Sequence, residues 1–203
     1  MAELSGWLAS ALTVVFAWPQ AIRAWRAAST EGVSLASATL MFQSGLLWTV
    51  YGALVCNPFI VAANVSVACA ALVIGLACRK RLPAPVGAAL ILGPAGIAGL
   101  GLALGPVPSG LMGVVVAGVM TLPQAVLALR HPASLAAVSP VTYLLLAVNA
   151  ACWIVHGVAS HDALVVAPNC VTLPASALIL ARRARRLTRR PAVNDARGAA
   201  RPR

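Results

Sequence analysis

The chain has 203 residues, of which 61% are hydrophobic and only 9% charged, where a soluble domain runs near half and a quarter. With a mean hydropathy of +0.90 it reads as mostly bilayer-spanning, which excludes an ordinary soluble enzyme or binding domain. The net charge of +11 does not point to nucleic acid, because all 15 Lys and Arg residues fall in four places: Arg23 with Arg26, Arg79-Lys80-Arg81, Arg130, and the stretch from Arg182 to Arg203.

Seven apolar segments follow one another, at about 5–25, 34–55, 58–78, 85–105, 109–129, 138–159 and 162–181. Each is close to the roughly 20 residues that a helix needs to cross hydrocarbon. The first is full length and is followed by further spans, so it reads as a retained helix and not a cleaved signal. Ser29-Thr30-Glu31-Gly32 separates the first two segments, and Asn57-Pro58 opens the third, with Pro58 in the first turn where its missing N–H does no harm. Arg79 to Pro85, Gly105-Pro106-Val107-Pro108 and His131-Pro132 mark the later breaks. The basic clusters follow segments one, three, five and seven, and the loops after two, four and six carry none. Cytoplasmic loops are the basic ones, so the N-terminus is expected outside and the C-terminus inside. The tail from 183 to 203 is Arg, Ala and Pro without an apolar period and is expected to be irregular. Its charges suit a weak attraction to anionic lipid.

The chain also states its pattern twice. Trp18-Pro19-Gln20-Ala21 returns as Leu122-Pro123-Gln124-Ala125, at an offset of 104. Ser29 and Val33-Ser34 return as Ser134 and Val138-Ser139, Trp48-x-x-Tyr51-Gly52 returns as Trp153-x-x-His156-Gly157, and Asn64 returns as Asn169, now at 105. Chance repetition in an apolar chain matches Val and Ala, not Trp, Gln, Pro, Ser and Asn in order. The expected fold is therefore all-α and integral to the membrane, with seven transmembrane helices in a 3+1+3 arrangement. A first three-helix repeat spans 5–81, a Gly-rich linker helix 82–107, a second repeat 108–182, and the basic tail the rest.

Proline within a spanning helix removes a backbone hydrogen bond and bends the helix. Pro19 and Pro123 are thus candidate hinges, with Gln20 and Gln124 placed to bond the freed backbone or gate the inner mouth. A buried amide costs several kcal/mol unless it finds partners, so Asn64 and Asn169, at equal depth in segments three and seven, suit a shared polar cavity. Trp48 and Trp153 lie deep as well, whereas Trp7, Trp18 and Trp25 fit the membrane interface. A Trp face stacks on C–H surfaces while an amide bonds hydroxyls, a combination that fits a neutral polyol. Ser44 and Asn149 join the cavity by repeat symmetry.

The absences matter too. No Asp, Glu, Lys or Arg lies in the middle of a span, which favours a neutral substrate moved down its own gradient. His156, replacing Tyr51, is the one titratable group placed to lie inside. Cys56, Cys69, Cys78, Cys152 and Cys170 have no metal-ligand spacing. There is no nucleophile–base set and no phosphate loop, so no enzyme, cofactor or metal is expected.

On Pro19-Gln20, Gly32-Val33-Ser34, Trp48-x-x-Tyr51-Gly52 and Asn64, and on their counterparts including Asp162 and Pro168-Asn169, the chain resembles the SWEET and SemiSWEET sugar transporters of the Pro-Gln-loop (MtN3/saliva) superfamily. The resemblance covers about residues 5–182. It implies parallel repeats about an axis along the membrane normal, sugar binding at the midplane by Asn64, Asn169, Trp48 and Trp153, and hinges at Pro19, Pro123 and Pro140. It also implies a facilitative uniporter of mono- or disaccharide working by alternating access in a plasma membrane. Single-repeat relatives pair as dimers, so this chain looks like a fused form; association into a homo-oligomer stays open. The chain departs from the plant-like pattern in having no proline between Gln20 and Asn57, and its halves differ at Tyr51/His156, Asn57/Asp162 and Ala63/Pro168. Two other readings are a proton-coupled exporter of amino acid or another small solute, using His156 or Asp162, and a non-transporting membrane receptor.

The orientation is directly testable. A cysteine placed at Ser160 should react with a membrane-impermeant thiol reagent in intact cells, whereas one placed at Thr188 should react only after permeabilisation. The reverse pattern would invert the topology.

Overall fold

The computed structural model describes residues 1–26, 35–79, 83–130 and 140–199. Seven helices occupy them: α1 (Ala2–Arg26), α2 (Leu35–Leu54), α3 (Pro58–Arg79), α4 (Ala84–Leu104), α5 (Pro106–Arg130), α6 (Pro140–Ala159) and α7 (Ala163–Ala199). No strand occurs among the described residues. The chain is a seven-helix multi-pass membrane protein.

Four helical stretches are long and apolar enough to cross a membrane by length and composition: Pro58–Ala77, Pro85–Leu104, Pro140–Ala159 and Ala163–Arg185. In α5 the described apolar stretch is the shorter Pro106–Met120. Helices α1 and α2 have 25 and 20 residues but carry more polar side chains. The bundle explains these, since Ser5, Ser10, Thr13 and Gln43 all point inside. The opposite face of α1 is apolar and exposed, from Leu4 through Val14 and Val15 to Ile22. Trp7 and Trp25 are 68% and 64% exposed at its two ends. Their eighteen-residue separation is about 27 Å along a helix, close to the roughly 30 Å of hydrocarbon. Trp18 departs from the expected interfacial role: it is half-buried and its Nε1 donates to Ser66 Oγ on α3 at 2.8 Å.

The packing states the repeat again. Helix α3 packs against both α1 and α2, and α7 against both α5 and α6. Across the halves, α1 meets α6 and α2 meets α5. These contacts close a ring in the order α1, α3, α2, α5, α7, α6. Helix α4 stands outside it, against α2 and α5. Lipid is as apolar as a leucine, so such helices gain by close approach and not by dewetting, which small residues allow. One core cluster is accordingly built on Ala17, Ala21, Ala24, Ala38 and Ala70, closed by Val67 and Ile74.

The turns between α2 and α3 and between α6 and α7 are copies of each other. Cys56 and His161 both adopt positive φ, 54° and 56°. The next N–H folds back in each, Asn57 to Gly52 O at 2.8 Å and Asp162 to Gly157 O at 2.7 Å. This is the left-handed helix ending in which the freed carbonyls of the last turn find donors. A side chain at the glycine would collide with the helix that follows, 2.9 Å from Ile60 Cβ at Gly52 and 2.9 Å from Asp162 O at Gly157.

Three boundaries differ from expectation. Helix α5 starts at Pro106, not near 109, because Pro106 and Pro108 both fit a first helical turn; Gly105 alone, at φ 95°, makes the break. Pro140 is the first residue of α6 and so does not interrupt that helix. Helix α7 continues to Ala199 over residues expected to be irregular, in keeping with the strong helix propensity of its Ala, Arg and Leu residues. The loops at 27–34, 80–82 and 131–139, which include Ser29, Val33-Ser34, Lys80-Arg81, Ser134 and Val138-Ser139, lie outside the described residues.

Gly157→Ala should lower unfolding stability in detergent by about 1–3 kcal/mol, as overpacking does. Gly96→Ala on α4, where an added Cβ meets nothing within 4 Å, should be neutral or stabilise by up to about 1 kcal/mol. Equal effects at the two glycines would contradict this packing.

Candidate functional site

A cavity of about 400 Å³ fills the middle of the six-helix ring, within the range that holds a small ligand. It brings together all six of the expected binding residues, Asn64, Asn169, Trp48, Trp153, Ser44 and Asn149, and Gln20 with them. Its lining runs from Thr13 to Gln20 on α1, Ser37 to Trp48 on α2, Ile60 to Ile74 on α3, Tyr143 to Trp153 on α6 and Val165 to Ile179 on α7. The fourteen steps from Ile60 to Ile74 correspond to about 21 Å of helix. The cavity therefore extends from the Trp pair toward the bundle end where α1 finishes in Arg23 and Arg26. No Asp, Glu, Lys, Arg or His is among the lining residues described.

Each Asn reaches the cavity with one bond already made. Asn64 Nδ2 donates to Ile60 O at 2.9 Å, and Asn169 Nδ2 to Val165 O at 2.8 Å. That bond to the carbonyl one turn back satisfies one amide proton of each side chain, and both residues line the cavity. Trp48 and Trp153 are each 8% exposed and belong to one apolar cluster with Ala9, Ile60, Ala63 and Val165, which joins the two halves. Thr13, which the sequence reading did not single out, ties the second Trp down. Its Oγ1 lies 3.3 Å from Trp153 Nε1, 3.2 Å from Asn149 Oδ1 and 2.9 Å from Ala9 O. The repeat comparison hid this residue, because its counterpart is Ala117.

Above the Trp pair the bundle is closed by two crossed hydrogen bonds. Tyr51 packs edge-on to Trp48 with ring centroids 5.4 Å apart, and His156 to Trp153 at 5.6 Å. Tyr51 Oη on α2 donates to Asp162 Oδ1 at the start of α7, at 2.7 Å. The mirror pair is Asn57 Nδ2, at the start of α3, and His156 Nε2 on α6, at 2.9 Å. Both acids-or-amides are also helix caps. Asp162 Oδ1 accepts from Val165 N at 3.2 Å, and Asn57 Oδ1 accepts from Phe59 N and Ile60 N at 3.2 and 3.3 Å.

The caps fix the chemistry of the histidine. With its oxygen committed to two backbone donors, Asn57 can offer His156 only N–H, so Nε2 accepts. The other ring nitrogen, Nδ1, then carries the proton and donates to Ala2 O at 2.8 Å. His156 is 2% exposed and both of its nitrogens are used. Neither Tyr51 nor His156 lines the cavity; each packs on a Trp that does. The sequence marked Asn57 and Asp162 as a position at which the two copies differ, and neither as helix caps nor as the partners of His156 and Tyr51.

Of the expected hinge residues, Pro19 lies within α1, which remains helical through it. The backbone at Pro123 and Gln124 is helical too, and their side chains lie outside the described residues. Cys56, Cys69, Cys152 and Cys170 are free thiols, and the described residues hold no group of three or more metal-ligating side chains.

Comparison with known proteins agrees with this geometry. Residues 1–61 match the PQ loop repeat family. The structure is similar to that of a eukaryotic SWEET transporter, with a TM-score of 0.69 and 18% sequence identity over 90% of this chain and 97% of that one. No curated protein matches. The chain carries a PQ loop repeat in its first half and has the fold of a SWEET transporter.

Proposed function

We propose that this chain is a membrane transporter that carries a small neutral sugar, mono- or disaccharide, down its gradient by alternating access. The observation that carries the reading is the pairing of amide acceptors with Trp faces in one cavity whose described lining bears no charge. A charged solute there would lose its hydration without gaining an opposite charge. A polyol would keep its hydroxyls bonded to Asn64 and Asn169 and lay its C–H faces on the Trp rings. The SWEET transporter fold is in keeping with this. Binding near millimolar, about −4 kcal/mol, suits a carrier that has to let go. His156 faces the lid and not the cavity, so the reading needs no proton.

Purified protein in liposomes should equilibrate labelled glucose or sucrose without an imposed pH gradient. Asn64→Ala with Asn169→Ala should reduce the flux about five- to 150-fold, as loss of two bonds of about 0.5–1.5 kcal/mol each predicts. Absence of flux in the wild type, or full flux in the double variant, would refute the assignment.

On the proposed orientation, the crossed hydrogen bonds form an outer gate, closed in this structure, and the cavity opens toward the cytoplasm. A bond to a carboxylate is worth about 1.5–3 kcal/mol, so Tyr51→Phe should raise the outward-open population about tenfold or more. The readout is a cysteine substituted at Ser44 in an otherwise cysteine-free chain, labelled from outside by an impermeant reagent. Unchanged labelling would mean that the pair does not gate.

A further inference from the structure

Helix α4 has no counterpart in the repeat, and one polar side chain turned toward it has no partner. Gln43 on α2 is 6% exposed, and its Nε2 makes no hydrogen bond to the described residues. It does not line the central cavity. A buried amide N–H is costly to leave unbonded, so an acceptor is expected close by.

The position of Gln43 on its helix identifies the neighbour. Leu35, Thr39, Gln43 and Leu47 follow at four-residue steps and form one ridge along α2. On one side of Gln43, Leu35, Thr39 and Phe42 share a groove with Gly87, Leu90 and Ile91 of α4. On the other side, Leu47 Cδ2 lies 3.5 Å from where a Cβ on Gly101 of α4 would stand. The ridge therefore runs along α4, and Gln43 falls between its two contacts. The buried residues of α4 in the same interval are Pro94 and Ala98.

Pro94 supplies the missing acceptor. Helix α4 continues through it, but a proline has no N–H, so the helical bond to the carbonyl of Leu90, four residues back, cannot form. At membrane depth a freed carbonyl is satisfied by a neighbouring helix or by ordered water. Leu90 lines the groove, whose volume of about 30 Å³ exceeds the roughly 10–15 Å³ that one water needs. Thr39 lines it as well, and its hydroxyl proton is given to Leu35 O at 3.0 Å. The oxygen of Thr39 is left as an acceptor. A buried donor without an acceptor and a carbonyl without a donor thus lie on one α2–α4 seam, beside a space of the right size.

We infer that the groove is a structural water site, in which one water accepts from Gln43 Nε2 and donates to the Leu90 carbonyl freed by Pro94 and to Thr39 Oγ1. Three bonds are the usual complement of a buried water. The site ties α4 to α2 by a polar link, in a seam otherwise closed by small and apolar side chains. It concerns how α4 is held and does not depend on what the central cavity carries.

The water is tested on the wild-type protein in detergent, with the glutamine side-chain amides labelled with ¹⁵N. Gln43 is one of three glutamines, and replacing Gln20 and Gln124 in turn leaves its signal assigned. Its amide protons should show a magnetisation-transfer cross-peak to water although the side chain is buried; absence of that cross-peak overturns the site. The pairing with Leu90 is tested by a double-mutant cycle on the melting temperature. Pro94→Ala gives Leu90 O an N–H within α4. With Pro94 in place, Gln43→Met should lower the melting temperature by about 2–4 °C. In the Pro94→Ala background the same change should lower it by less than about 1 °C, or raise it. An equal loss in both backgrounds, or a gain with Pro94 in place, overturns the link between Gln43 and the freed carbonyl.

Discussion

The side chain that precedes each third helix holds the closed end of this bundle together. The first N–H groups of a helix have no partner within it and have to be finished from outside it. Asn57 and Asp162 finish the first turns of α3 and α7. The same two side chains reach across to the opposite half, Asn57 to His156 and Asp162 to Tyr51. Local capping and long-range closure are thus one set of atoms. The duplicated turns place them, with the positive φ at Cys56 and His161 sending the chain back at the same angle twice. A lid built in this way does not need loops to fold over the cavity. It needs the second helix of each half to stand beside the cap of the other, which the contacts of α1 with α6 and α2 with α5 secure.

Duplication supplied this symmetry, and the two copies have diverged within it. Tyr51 with Asp162 is a hydroxyl on a carboxylate; His156 with Asn57 is an imidazole on an amide. The second pair has a further anchor that the first lacks among the described hydrogen bonds, the carbonyl of Ala2 at the start of α1. The two latches therefore differ in strength and in chemistry although they are built alike.

Much of this was legible in the sequence, because the legible features are those fixed by composition and period. The spans followed from apolar length, and the offsets of 104 and 105 located the Asn and Trp pairs that share the cavity. What stayed hidden depended on neighbours. Thr13 had no counterpart to draw attention to it, since the repeat argument finds what both copies keep and here the difference is the signal. Trp18 read as interfacial because tryptophan commonly is, and only the position of Ser66 on α3 draws it inward. Pro140 carried a hinge role by resemblance, and its place at the first residue of α6 gives it no helix to bend. The early start of α5 turned on whether two closely spaced prolines break a helix or begin one.

The strength of the lid bears on what kind of machine this is. One bond to a charged acceptor and one between neutral groups contribute together about 2–4.5 kcal/mol, or roughly thirty- to two-thousandfold in an equilibrium. Full commitment from one side to the other, 1:99 to 99:1, takes about 5.5 kcal/mol. The latch biases the bundle without locking it. For the proposed carrier, which would run on the substrate gradient alone and have no other energy source to reopen a closed end, both conformations have to lie within a few kcal/mol of each other. A pair of ion pairs at the same positions would hold harder and demand coupling to release it. A tyrosine on an aspartate beside a histidine on an asparagine is closure of the strength that thermal motion can undo.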